Sequence, residues 1–196
     1  MSHNIWFISD THFSHSNILT FSDAHGNKVR PQFDSVEQMN EIIIDNWNKT
    51  VKPGDKVYHL GDVAFGPKQD WPKLFTRLAG RKRLILGNHD HTNIDLYKPW
   101  FEKFMSWRQF KDMPIPFICC HYPLHKDSLY GRGGAIHCVH GHIHERQVMA
   151  NSDHYEWGNI GKGGMPDWHY INVCVEKINY TPIHMDELQK RMKHHG

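Results

Sequence analysis

Cysteine is scarce in this sequence, and the four that occur, Cys119, Cys120, Cys138 and Cys174, show no Cys-x-x-Cys spacing. That argues against a disulfide framework and for a reducing compartment, with adjacent Cys119 and Cys120 read as small buried residues of a strand. Net charge is nearly absent too, because 23 basic side chains against 21 acidic ones leave +2 with histidines neutral. So weak a field does not draw a polyanion, and although Arg81-Lys82-Arg83 is locally basic, nucleic-acid binding is left unsupported. No run approaches the roughly 20 apolar residues that a membrane-spanning helix needs. Ile5 to Ile8 give way at once to Ser9 and Asp10, unlike the apolar centre of a secretory leader. A soluble, cytoplasmic protein is expected. Neither an internal repeat nor a linker interrupts the 196 residues, which suit a single domain (1–196) that buries its own core.

What is present in excess is histidine, with 18 in the chain. Only His194-His195 look like a tail; the others are distributed, and histidine is the commonest metal ligand among side chains. Several follow short apolar runs. Ile5–Ile8 ends in Ser9-Asp10-Thr11-His12, Val57–Leu60 in Gly61-Asp62, and Leu84–Leu86 in Gly87-Asn88-His89-Asp90. Ile115–Cys120 ends in His121-Tyr122-Pro123, and Ile136–Val139 in His140-Gly141-His142-Ile143-His144. Each reads as a buried strand with a polar lip.

Between the strands, Ser35 with Gln38 has the form of a capping box, and Val36, Met39, Ile43 and Trp47 recur at helical spacing up to Pro53-Gly54. Trp71, Leu74, Phe75 and Leu78 share a second helical face, with Gly80 placed for a left-handed cap. Residues 13–34 mix Ser, Asn, Gly and Pro and predict a structured excursion. Residues 171–175 predict a last strand and Met185–Lys193 a closing helix. The stretch 151–168 is long for a loop, and such length is more often functional or disordered.

Alternating strands and helices predict a layered α/β architecture, in which ligands gather beyond the carboxyl ends of the strands. There Asp10, His12, Asp62, Asn88, His121, His142 and His144 can converge. Seven mixed oxygen and nitrogen donors exceed what one tetrahedral ion takes and suit two ions sharing a carboxylate, for which Asp62 is the candidate. Two such ions clamp a phosphate and turn a shared water into hydroxide near neutral pH. Taken singly, each pattern has a plainer meaning. Asp-x-His also caps helices, Gly-Asp also forms turns, and Gly-His-Ile-His also fits strand alternation.

The ordered set Asp10-x-His12, Gly61-Asp62, Gly87-Asn88-His89-Asp90, His121 and Gly141-His142-x-His144 resembles the calcineurin-like metallophosphoesterase superfamily. The resemblance runs from Ile5 to His144, resumes at Asn172-Val173, and includes all five blocks without substitution. It implies a four-layer α/β/β/α sandwich, with two mixed sheets flanked by helices. It also implies one metal held by Asp10, His12, Asp62 and His144, and a second held by Asp62, Asn88, His121 and His142. His89 would face the substrate to stabilise developing charge or protonate the leaving oxygen, with Asp90 orienting its ring. Imidazole, carboxylate and amide ligands admit Mn, Fe, Zn, Co or Ni, and Mn is favoured.

Arg30, Arg132 and Lys162 are candidate phosphate contacts, the last two because a cation among glycines approaches an anion closely. Tyr155, Trp157 and Trp168 either stack on a nucleobase or anchor their loop. His15, His59, His91, His125, His137 and His140 read as surface or internally satisfied histidines, with one or two of them in outer contact with the site. The leading expectation is hydrolysis of a small, nucleotide-like phosphodiester or phosphomonoester by attack of a metal-bridging hydroxide. A nuclease, a non-catalytic metal-binding module and, less favoured, a protein phosphatase compete with it.

Overall fold

The structure, a computed structural model, describes residues 4–23, 25–131, 134–150 and 165–193. Two mixed sheets flanked by helices form the α/β fold. In the first sheet, β1 (Ile5–Ile8), β2 (Lys56–His59), β3 (Arg81–Ile85) and β4 (Phe101–Met105) run parallel in that order. The two-residue strand β11 (Ile183–His184) joins β1 antiparallel at the other edge. β5 (Trp107–Phe110) follows β4 after Ser106 alone, so the chain steps directly into the second sheet. There β5 pairs antiparallel with β6 (Phe117–Cys120), which continues in parallel to β9 (His137–His140) and β10 (Tyr170–Asn172). The strands β7 (Tyr130–Gly131) and β8 (Gly134–Ala135) form a separate hairpin.

Parallel strands covered on both faces need nearly continuous apolar sequence, which Ile5–Ile8 and Val57–Tyr58 supply. Phe7 packs edge-on against Phe110 and Phe117 of the other sheet at 5.6 and 5.8 Å, and those two rings stack at 4.7 Å. These contacts join the sheets through one core.

Helix α1 (Val36–Thr50) buries Met39, Ile43, Ile44 and Trp47 along one stripe. Its cap is the expected one on one side, with the Gln38 amide donating to Ser35 Oγ at 3.1 Å. The return bond is displaced by one residue, because Gln38 Oε1 accepts from the Asp34 amide. α2 (Trp71–Phe75) is shorter than its apolar spacing predicts. The Thr76 hydroxyl donates to the Pro72 carbonyl, and the amides of Arg77 and Leu78 reach back three residues, so the last turn tightens. Gly80 is left-handed (φ 87°), as expected. A short α3 (Ile94–Tyr97) precedes β4, and α4 (Met185–Lys193) closes the described chain.

The two sheets meet at their carboxyl ends. Ser9, just after β1, forms a parallel bridge with Cys174, just after β10, with the Ser9 amide donating to the Val173 carbonyl and the Val175 amide to the Ser9 carbonyl. The strand lips of both sheets therefore face one place. Among the described residues, no helix is long and apolar enough to cross a membrane.

Candidate metal centre

The backbone at this junction is unusual before any side chain is considered. Asp10, His12, Asp62, His142 and His144 all have positive φ, from 48° to 69°. A left-handed conformation costs an L-residue about 1–2 kcal/mol, and strain of that kind gathers at functional sites. Cross-links hold it in place, with the Asp10 amide donating to Gly61 O at 3.0 Å and the His12 amide to Asp62 O at 3.1 Å. Two glycines make room: a Cβ on Gly87 would overlap the Asp62 carboxylate, and one on Gly141 would overlap the Ser9 hydroxyl and the Asp10 carboxylate.

Each carboxylate has one oxygen committed and one presented. Asp10 Oδ2 accepts from Ser9 Oγ (2.6 Å), the His142 amide (2.9 Å) and Cys174 Sγ (3.2 Å). Its Oδ1 is buried without a hydrogen-bond partner among the described residues. Asp62 Oδ1 accepts from the His89 amide, while Oδ2 faces Nε2 of His121, His12 and His89 at 3.7, 3.8 and 4.0 Å. Burial, then the charges of Asp10 and Asp90, push the Asp62 carboxyl up to about 7 although His121 opposes them. A cation against Oδ2 would reverse that shift.

Partner chemistry assigns the imidazole protons. His121 Nδ1 lies 2.7 Å from the Leu60 carbonyl, which only accepts, so Nδ1 carries the hydrogen and Nε2 presents a lone pair. That lone pair is 2.9 Å from Asn88 Oδ1. By the same logic His144 Nδ1 donates to Glu176 Oε1 at 3.0 Å, leaving Nε2 free. His12 Nε2 is buried with no hydrogen-bond partner among the described residues, and its Nδ1 lies 3.3 Å from Nδ1 of His15. Burial is the main cause that pushes His12 down to about 3 and His142 to about 4, so both are neutral, the form that binds a metal. Burial also works to lower His144, but the Glu176 hydrogen bond and nearby carboxylates outweigh it and raise that ring's proton affinity.

All seven expected ligands are brought together. Two three-ligand groups form within 4.8 Å, Asp10-His12-His144 and Asp10-Asp62-His121. Asn88 adjoins the second group through His121, and the His142 ring lies 5.1 Å from that of His121. Asp10 thus reaches both groups. The donors fit divalent transition ions, and the orphaned Asp10 Oδ1 and His12 Nε2 are the atoms such ions would satisfy.

The other candidates divide. His89 is half exposed at the open side of the centre, edge-on to Phe65 at 4.7 Å. Asp90 does not orient that ring. Its Oδ2 accepts from the amides of Asp62 (2.7 Å) and Gly87 (2.8 Å), and its Oδ1 from the Val63 amide and the Tyr97 hydroxyl, so it holds the Asp62 turn. Arg30 is no phosphate contact either. Its side chain is fully buried, paired with Glu176 and bonded to the carbonyls of Asp10 and Thr11. Arg132, Lys162, Tyr155 and Trp157 lie outside the described residues. Trp168 stacks on His169 at 3.8 Å.

Sequence reasoning missed Ser9, Cys174 and above all Glu176, which belongs to no motif. Their one signal is adjacency, since Ser9 precedes a ligand and Cys174 and Glu176 follow a strand ending at the site. Two of the unassigned histidines underlie the centre. His59 is buried between the Gly61 amide and the Thr11 hydroxyl, and His140 donates from Nδ1 to the Gly141 carbonyl.

Residues 3–181 match the model of the calcineurin-like phosphoesterase family. The chain is 35% identical to the uncharacterized protein MJ1445 of Methanocaldococcus jannaschii, over 95% of this chain and 89% of that protein. It is 33% identical to the Gene 66 protein of Mycobacterium phage L5, over 81% and 86%. Among solved structures, the protein of unknown function AQ665 from Aquifex aeolicus superposes with a TM-score of 0.69 at 26% identity, covering 96% of this chain and 99% of that one.

Proposed function

The chain belongs to the calcineurin-like phosphoesterase family, and from that premise we propose that this metal-dependent phosphoesterase cleaves a small, nucleotide-like phosphodiester at a two-metal centre. The observation that carries the reading is Asp62 Oδ2, which faces three imidazole Nε2 atoms within 4.0 Å beside the orphaned Oδ1 of Asp10. That supports Asp62 as the carboxylate shared between an ion held by Asp10, His12 and His144 and one held by Asn88, His121 and His142, with Asp10 also within reach of both groups. Two divalent ions held by these residues, Mn favoured, would supply activated water and neutralise phosphoryl charge.

The chain's own residues do the rest. Asn88 offers a neutral oxygen, which leaves the centre positive enough to hold a phosphate. His89, exposed where the substrate enters, reaches the leaving oxygen and stabilises its charge or gives it a proton. Burial lowers its proton affinity, and a phosphate anion beside it restores it. Phe21 and Tyr122 expose aromatic surface near the centre, Phe21 edge-on to His15 and Tyr122 edge-on to His142, and such rings suit a nucleobase.

A nucleic-acid polymer finds less to bind. The basic run is already engaged, with Lys82 donating to the Leu78 and Gly80 carbonyls and both Arg81 and Arg83 paired with Glu102. A small phosphomonoester remains the alternative substrate class.

The test is hydrolysis of bis-p-nitrophenyl phosphate and p-nitrophenyl phosphate by chelated protein refilled with Mn, beside Asp62→Asn. Diester turnover that falls by about three orders of magnitude in the variant, together with its metal content, supports the reading. Full activity in Asp62→Asn with both metals retained would overturn the bridging assignment. Turnover indifferent to exhaustive chelation would end the two-metal proposal.

A further inference from the structure

We infer that Glu176 is a positioning residue of this centre: it holds His144 in the tautomer that aims Nε2 at a metal and lends that imidazole a negative charge which Arg30 balances. The inference rests on the reading of His144 as a ligand.

Glu176 follows β10, in the short helical turn Val175–Lys177, and its side chain is 5% exposed. Three donors converge on its Oε1: His144 Nδ1 at 3.0 Å, Arg30 Nε at 2.8 Å and an Arg30 terminal nitrogen at 2.7 Å. Oε2 is buried with no hydrogen-bond partner among the described residues. As a stabilising ion pair this is poor, because a buried carboxylate repays its desolvation only when both oxygens are matched. As a support for His144 it is complete, since the one oxygen that touches the ring is also the one the guanidinium polarises. A carboxylate on the far nitrogen of a metal-binding histidine fixes the ring's orientation and strengthens it as a donor.

Arg30 extends the same frame to the other ligands. Besides a bond to Met39 Sδ, it donates to the carbonyls of Asp10 (2.7 Å) and Thr11 (3.1 Å), within the stretch whose left-handed residues are Asp10 and His12. One buried guanidinium therefore ties the lip of β1 to the turn that steers His144. These are the members of the group Asp10-His12-His144. Glu176 strengthens the ligand, and because Arg30 cancels its charge the centre gains no net negative charge that would repel a phosphate.

The experiment uses zinc, which is diamagnetic, and the full chain. Zinc affinity is measured by competition with a chelator, and the His144 Nδ1–H resonance is followed by NMR in wild type and Glu176→Gln. Glutamine keeps an acceptor at the same place and removes the charge. Affinity should fall by about 10- to 100-fold, and the resonance, shifted downfield by its carboxylate partner, should move upfield. Wild-type affinity with an unmoved resonance in the folded variant overturns the inference. Should Glu176→Gln fail to fold with Arg30 uncompensated, the double variant Arg30→Met/Glu176→Gln leaves no charge unpaired. There the resonance decides in the same two ways, because losing the Asp10 and Thr11 contacts does not act on His144 Nδ1. A wild-type protein that holds no zinc would sink the metal centre itself, an outcome distinct from a zinc-bound protein indifferent to Glu176.

Discussion

Asn88 Oδ1 and His121 Nε2 lie 2.9 Å apart, and with the ring in the neutral form that binds a metal neither has a proton to offer the other. The amide oxygen only accepts, and the His121 hydrogen is on Nδ1, given to the Leu60 carbonyl. Two ligands at right angles on one ion, with bonds of about 2.1 Å, lie about 3 Å apart. The pair is therefore spaced for a shared cation, and with a neutral ring it is repulsive without one.

Metal should consequently stabilise the fold. At a hundredfold excess over Kd, Mn or Zn added to chelated protein should contribute about 2.7 kcal/mol, or about 5–10 °C in Tm for a chain of this size. Asn88→Ala should shrink that increment while leaving the metal-free Tm unchanged or higher, because the repulsion goes with the oxygen. Differential scanning fluorimetry across a metal titration reads both effects. An increment undiminished in Asn88→Ala would remove Asn88 from the ligand set.

The candidate ligands are legible in the sequence because each follows a short apolar strand, and strands of one sheet bring their ends together however far apart they are along the chain. Glu176 was not legible. It is a lone acid after Val175, and nothing local shows that it is buried beneath His144. Arg30 was misread for the complementary reason, since sequence shows that a cation is present and not that an acid 146 positions away neutralises it. In the fold, β4 and β5 went unseen. They are edge strands of their sheets, where Glu102, Lys103 and Arg108 are exposed and break the apolar pattern.

His89 offers the sharpest separation of binding from chemistry. It is half exposed, and its ring stands 4.0 Å from Asp62 Oδ2 without displacing a ligand. His89→Ala should keep both metals, measured by plasma emission, and lower kcat by about two to four orders of magnitude, the usual worth of a positioned acid or hydrogen-bond donor. Loss of metal in this variant would instead place His89 among the ligands.

Gly141 tests whether the carboxylate must be held where it is. A methyl group there meets the Ser9 hydroxyl and the Asp10 carboxylate, so Gly141→Ala must displace Asp10 Oδ2 from its three donors. The variant should bind zinc more weakly by at least about tenfold, on the scale of losing a support to a metal ligand. Gly54→Ala is the control, because a Cβ there meets nothing within 4 Å, and its stability should stay within about 0.5 kcal/mol of wild type. Equal zinc affinity in the two variants would show that Asp10 tolerates displacement.

The metal-free fold should weaken in acid through buried histidines outside the candidate ligand set. His59 is fully buried, its Nδ1 accepting from the Gly61 amide, and burial pushes it down to about 4. Its unfolded value is about 6.5, so between pH 6.5 and 4 the unfolded chain binds the proton that the folded one refuses. Stability is therefore whole above pH 6.5 and falls with decreasing pH through that window, by up to about 1.4 kcal/mol per pH unit for this group. His140, likewise pushed to about 4 by burial, adds a second such contribution. Urea unfolding of chelated protein at pH 7.5, 6 and 5 measures the slope. His59→Asn should start less stable at pH 7.5, since the Thr11 contact is lost, but should lose less on acidification. An identical slope in the variant would mean that His59 takes up its proton without unfolding the chain.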